Sequence, residues 1–274
     1  MVTSQPWTLR TLALCLSLIL SSNLLGETVP VRHVEGVTLG FLVLRNSDGQ
    51  IIANGELKQV VKDKDAGLVI SDMQFRFKDG SIYDEITKFT QNGTFRLVSD
   101  QVVQKGPSFK QDSESWIDAA SGKVTVRTVE KGKKKETTKH LDLPPDVCNG
   151  LLNTLLKNVD SNRETTVSMV AASTSPRVVK LNIFPEQAKS FSIGLIKHEA
   201  QHYRVKVKIE GVAGAIAPLI GKQPADIQVW IVKSEAPTFL EFEGQLSQDA
   251  PVWRMQLTAP QPDLTASDAE SGKR

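Results

Sequence analysis

His198-Glu199-Ala200-Gln201-His202 sets two imidazoles four residues apart with a carboxylate beside the first, matching H-E-x-x-H letter for letter. On a helix this spacing turns both rings to one side, where they share a zinc ion while the glutamate acts as general base on the metal-bound water. The chemistry would be hydrolysis of a peptide, with His198 and His202 as ligands and Glu199 as base. It requires the helix. Downstream, Tyr203 to Ile209 alternates apolar and charged residues as a strand does, and Phe191, Ile193 and Leu195 alternate upstream. On that pattern the five residues form a hairpin connection with both histidines at its tip, and neither a metal nor a catalytic residue is expected. The helical alternative stays open, because Ile193, Ile196, Ala200, Tyr203 and Val207 recur at intervals of three and four. A zinc site also needs a third protein ligand, and Glu210, Glu235, Glu241 and Glu243 follow the motif without a helical pattern to present them.

Other reactive groups read more plainly. Cys148 sits among Val147, Leu151, Leu152 and Leu155, where a lone thiol behaves as a small buried hydrophobe. Lys131, Lys133, Lys134 and Lys135 form a basic run at a hairpin tip, and Asn92-Gly93-Thr94 fits both a glycosylation sequon and a tight hairpin turn. Asp63-Lys64-Asp65-Ala66-Gly67 begins like a calcium loop but reaches Gln74 where a bidentate glutamate belongs. Gly221-Lys222 lacks the flanking residues of a phosphate loop. One segment departs from the rest: Gly211 to Gly221 is small, apolar and glycine-rich. It is either a crossover buried between strands or a flap over an apolar cavity, and on the second reading Gly211, Gly214, Ile216, Leu219, Ile220 and Gly221 would line a ligand.

The elements that must position these residues are mostly strands. From Val37 onward apolar residues alternate with polar ones, interrupted by turn signals at Asn46–Gly49, Lys78–Ser81, Gln91–Thr94, Ala120–Lys123 and Glu130–Lys133. Each contains a glycine that supplies the positive φ of a tight reversal. In the middle, Pro144-Pro145-Asp146 precedes Val147, Leu151, Leu152, Leu155, Leu156 and Val159 at helical spacing, which predicts one helix over about 144–159. The predicted fold is mainly β: a large curved antiparallel meander, half-barrel-like, packed on that central helix.

At the N-terminus Arg10 precedes an apolar run from Leu12 to Leu20 and then the polar Ser21, Ser22 and Asn23, the order of a secretory leader. The run is broken by Ser17 and then by Ser21 and Ser22, where a spanning helix takes about 20 continuous apolar residues, so an uncleaved anchor is the weaker reading. The expected organisation is a leader over 1–26, one β-rich domain over 27–258, with two strand-rich halves about the 144–159 helix as the alternative, and a disordered tail over 259–274. Removing the leader leaves 32 basic against 31 acidic residues. That balance argues against nucleic-acid binding, which takes a clear basic excess. It also leaves Cys148 as the only cysteine, so the exported fold must be held by its core.

Ala213 to Pro224, Val229-Trp230-Ile231, Glu235-Ala236-Pro237 and Pro251-Val252-Trp253-Arg254, with Leu143-Pro144-Pro145-Asp146 ahead of Asn149-Gly150, resemble a family of uncharacterised exported bacterial β-rich proteins. The resemblance covers roughly 141–258. That family is distantly similar to the half-barrels of periplasmic lipoprotein carriers, which implies a curved sheet, an apolar concavity and a periplasmic or extracellular location. It brings no catalytic residues. The function expected from these signals is non-enzymatic binding of a lipid or other apolar ligand between sheet and helix, with no cofactor and no transmembrane span after leader removal. The rivals are the zinc hydrolase above and a structural or partner-binding envelope protein; the signals leave the oligomeric state open.

Overall fold

The computed structural model describes residues 26–130, 132–193, 196–208, 224–247 and 250–258. Of the leader expected over 1–26 only Gly26 is described; the segment from Gly211 to Gly221 and the tail expected over 259–274 lie outside the described residues.

The first half of the chain writes eight strands in succession: β1 (Thr38–Arg45), β2 (Ile51–Asp63), β3 (Leu68–Phe77), β4 (Ile82–Asn92), β5 (Thr94–Lys105), β6 (Asp112–Asp118), β7 (Lys123–Glu130) and β8 (Lys133–His140). Each pairs antiparallel with the one before it. The turns anticipated from the sequence are present, with Gly49, Gly80, Gly93, Gly122 and Gly132 all at positive φ. The second half adds β9 (Thr165–Ala171), β10 (Arg177–Pro185), β11 (Lys189–Ile193), β12 (Ile196–Lys208), β13 (Ile227–Val232), β14 (Thr238–Gly244) and β15 (Trp253–Thr258). β15 pairs with β1, so both halves form one open antiparallel sheet, ordered β8 to β1 and then β15-β14-β13-β12-β10-β9, with β11 beside β12.

Period two sorts the side chains onto two faces. One carries Leu42, Leu44, Val69, Phe75, Phe89, Ile117 and Val124 from the first half and Val167, Leu181, Ile183, Val205, Val229 and Met255 from the second, all in one buried cluster. At about 1.5–3 kcal/mol for each large side chain taken from water, this face supplies the driving force. The sheet bends around it far enough for Lys139 on β8 to donate to the carbonyl of Pro176, in the turn between β9 and β10, at 3.1 Å.

The segment joining β8 to β9 crosses from one edge of the sheet to the other. The helix expected over 144–159 is much shorter, a single five-residue α1 (Leu152–Leu156). Its apolar stripe is nonetheless buried, since Val147, Leu151, Leu155, Leu156 and Val159 all join the core. Two features stop a longer helix. Gly150 takes φ +66°, a left-handed kink one turn after the prolines. Ahead of it, residues 146–149 serve β9 instead: Cys148 N–H donates to Ser168 O at 2.9 Å, and the Asn149 side chain exchanges both hydrogen bonds with the backbone of Val170. Residues 27–36 form an arm over this crossing. Glu27 N–H bonds Thr166 O, Phe95 N–H bonds Val29 O and Val31 N–H bonds Gly93 O. Buried Asn158, just past α1, accepts from Arg32 N–H and His33 N–H at 2.9 and 2.7 Å.

The two edges differ. β9 is covered by the crossing segment and the arm, whereas β8 presents exposed Lys133, Lys134 and Lys135, charges that discourage strand addition.

Candidate binding cleft

The H-E-x-x-H residues lie inside β12, not at a hairpin tip. Ile193 pairs with Ile196, so the chain reverses before the motif, and His198, Glu199 and Ala200 pair with Phe191, Ser190 and Lys189 of β11. This corrects both readings of the motif. On a strand, His198 and His202 share a face but lie about 13 Å apart along the chain, too far to share one ion at about 2 Å from each, and Glu199 points to the opposite face. The zinc-hydrolase reading lacks the helix its spacing needs. Among the described residues no cluster of three or more His, Cys, Asp or Glu is placed to hold a metal.

The strand placement gives the histidines other partners, on the face away from the core. His198 stacks on Phe191 across the β11–β12 pair, with ring centroids 5.4 Å apart. His202 stacks on Trp230 across the β12–β13 pair at 4.6 Å, with the planes within 5° of parallel, and its Nε2 lies 2.8 Å from Gln228 Oε1. Between these two stacks lies Ala200, the smallest side chain of the row and only 1% exposed. A bulge then brings two consecutive residues of β14 to the same face: Trp230 pairs with Glu241 and Ile231 with Phe239, so Leu240 is the extra residue.

The product is an open cleft of about 270 Å³ lined by Lys189, Ser190, Phe191, Ala200, Trp230, Leu240 and Glu241. Its lining is mixed: Phe191, Ala200, Trp230 and Leu240 are apolar, Ser190 and Glu241 are polar, and the Lys189 ammonium lies 5.8 Å from the Trp230 ring centroid. Glu241 is already engaged, accepting from Gln256 Nε2 at 2.5 Å and paired with Arg254 at 3.3 Å. The cleft therefore offers a flat aromatic wall, an aliphatic contact and a positive charge, with the one carboxylate of its lining, Glu241, bound to Gln256 and Arg254.

The other groups singled out by sequence are dispersed. Cys148 is buried, and burial, reinforced by the charges of Asp146 and Asp100, pushes its thiol far above the ordinary cysteine range, which leaves it an unreactive part of the core. Gly211, Gly214, Ile216, Leu219, Ile220 and Gly221 lie outside the described residues. Sequence reading missed Lys189, Phe191, Trp230 and Leu240. The available signal was phase: Trp230 alternates with the core residues Val229 and Ile231, and a large aromatic out of phase with the core needs a reason.

A second polar cluster lies on the core face. Asp100 is buried and accepts from the Thr87 hydroxyl at 2.9 Å, with Glu85 on the same face of neighbouring β4. Glu85 keeps a partly exposed surface, yet dense packing desolvates its carboxyl, and the charge of Asp100 adds to that, pushing it up to about 8. Burial pushes Asp100 up to about 6 against the lowering effect of the Thr87 hydroxyl. Gly150 closes over the pair: a Cβ there would fall 1.9 Å from Thr87 Oγ1. With the crossing segment seated on them, these acids belong to the interior.

Compared with known protein families, curated proteins and solved structures, the chain gives no match.

Proposed function

We propose that this is an exported, non-catalytic binding protein of the bacterial envelope that holds an amphiphilic lipid or similar apolar ligand in the cleft between β11 and β14. The observation that carries the reading is the uncovered aromatic wall, Trp230 with its His202 backing and Phe191 with His198, around a buried Ala200 floor. Exposed aromatic surface gathered into a concavity is a binding feature, whereas scattered exposed side chains are ordinary. Covering the apolar part of this lining, Phe191, Ala200, Trp230 and Leu240, favours a ligand with an apolar body.

Lys189 selects the head group. An acyl chain lying against Trp230 and Leu240 can present a carboxylate or phosphate to its ammonium at the mouth. The site lies on the face of the sheet away from the core, not between sheet and helix. Among the described residues, that inner space is taken by the chain's own Leu151, Leu155 and Leu156. The backed, cross-strand geometry of both aromatic walls makes the site pre-formed, so little ordering accompanies binding.

The test is a comparison of head groups by isothermal titration: a medium-chain fatty acid against its methyl ester, on the native protein and on Lys189→Glu. The proposal expects the acid to bind at least about fivefold more tightly than the ester to the native protein, and the preference to disappear in the variant. Equal affinity for acid and ester in both proteins, or no binding of either, would refute it.

A further inference from the structure

The arm that precedes β1 ends against a buried carboxylate. Asp146 is 4% exposed. Its Oδ2 accepts from the Ser168 hydroxyl at 2.9 Å and lies 4.0 Å from Lys180 Nζ, but Oδ1 has no hydrogen-bond partner among the described residues. Gly26 packs directly on it: a Cβ built there would fall 1.4 Å from Oδ2 and 2.9 Å from Oδ1, so no other residue type fits. The next residue is pinned. Glu27 N–H donates to Thr166 O at 2.9 Å, and its carboxylate takes both guanidinium arms of Arg163 at 2.7 and 2.9 Å.

We propose that leader removal after Gly26 creates a site for the chain's own new N-terminus, the α-ammonium of Glu27 seating on the Asp146 carboxylate. Water hydrolyses the Gly26–Glu27 peptide bond under an export peptidase. Its oxygen joins Gly26 as a carboxylate that departs with the leader, and the nitrogen of Glu27 takes up protons to become the ammonium. That nitrogen is two covalent bonds, about 2.4 Å, from the Cα of Gly26, so it moves little to occupy the place Gly26 vacates. It keeps the bond to Thr166 O and brings further N–H donors toward Oδ1. Oδ1, without a hydrogen-bond partner among the described residues of the uncut chain, then gains donors, and the buried carboxylate gains a second cation beside Lys180. Asp146 lies along the edge of β9, where Ser168 N–H donates to its carbonyl, so processing locks the arm to that edge. Lys180 and Cys148 are the other titratable groups facing Asp146.

The proposal rests on the leader reading of the N-terminus, and its test separates the two. The exported chain is recovered and its first residue identified by intact mass; Glu27 is expected, and a chain that keeps the leader or begins elsewhere would overturn the processing step. Separately, the chain beginning at Glu27 is melted with a free and with an acetylated α-amine. Acetylation keeps one N–H for Thr166, puts an acetyl group where Gly26 lay in the uncut chain, and removes the charge and the two further donors that the ion pair needs. The free amine should melt on the order of 5 °C higher, and in Asp146→Asn the two forms should melt within about 1 °C of each other. Equal melting of the two forms on the native background would overturn the ion pair, and that arm of the test stands even if Asp146→Asn fails to fold.

Discussion

The two faces of the sheet treat unusual residues in opposite ways. On the core face the polar intruders are enclosed and matched: Asp100 has the Thr87 hydroxyl, Glu35 binds Gln59 and Lys157, and Asn158 ties the arm to α1. On the other face, between β11 and β14, the unusual residues are apolar and lie open, held in place by cross-strand stacking. Polar groups in the interior hold the fold together, because each depends on its partner. Aromatic groups in an open cleft add little to folding beyond their stacks, which is the arrangement the proposed ligand site calls for. Mutations on the core face should therefore reduce stability, and mutations in the cleft should reduce binding while leaving stability nearly unchanged.

The largest effect belongs to Gly150→Val. The position needs φ +66° and has Thr87 Oγ1 where a Cβ would stand, so strain and overlap together should remove about 3 kcal/mol or more and lower Tm by roughly 10 °C. A variant that melted within 2 °C or so of the native protein would break the claim that the crossing segment is seated on the acid pair.

A smaller effect follows from protonation. The folded chain keeps protons on Glu85 up to about 8 and on Asp100 up to about 6, which the unfolded chain releases near the ordinary carboxylate range. The folded state thus binds more protons across that interval, and stability falls as pH rises from about 4.5 to about 8. Calorimetry should show Tm dropping by a few degrees between pH 5 and pH 8, with the slope reduced in Glu85→Gln. A Tm that rose over the same interval would contradict the burial of this pair. Exposed Asp79 and Asp118, held low by hydrogen bonds from Ser81 and Ser121, act only below that window and weakly.

The smallest effect on stability is expected in the cleft. Leu240 is the bulge residue, partly exposed, and Leu240→Ser should change Tm by no more than about 2 °C while weakening an apolar ligand several-fold. A large Tm loss there would make Leu240 a core residue and dissolve the contrast between the faces.

Much of this was legible in the sequence. The glycine-bearing turns marked the hairpins, because a tight reversal needs a positive φ that few other residues adopt, and the alternation between them fixed which residues face the core. The helix was over-read. Val147 to Val159 has helical spacing because its apolar residues enter the core at each turn of the crossing segment, but Gly150 and the demand of β9 for edge partners break it. The H-E-x-x-H match misled for a related reason: a short pattern of residue types has no conformation of its own, and the alternation on both sides of it decided. The cleft was not readable, since Phe191, Trp230 and Leu240 meet only through β12 pairing on both sides and a bulge that no local signal marks.

The account stands on Trp230 as the wall of a binding site. The most direct test is an equilibrium titration of the purified protein with a fluorescent fatty-acid probe, alongside Trp230→Ala with its melting temperature recorded. The prediction is saturable binding to the native protein, weakened about tenfold or more in the variant, with Tm changed by no more than about 2 °C. Undiminished binding by a folded Trp230→Ala protein would contradict the account and move the ligand to another part of the molecule.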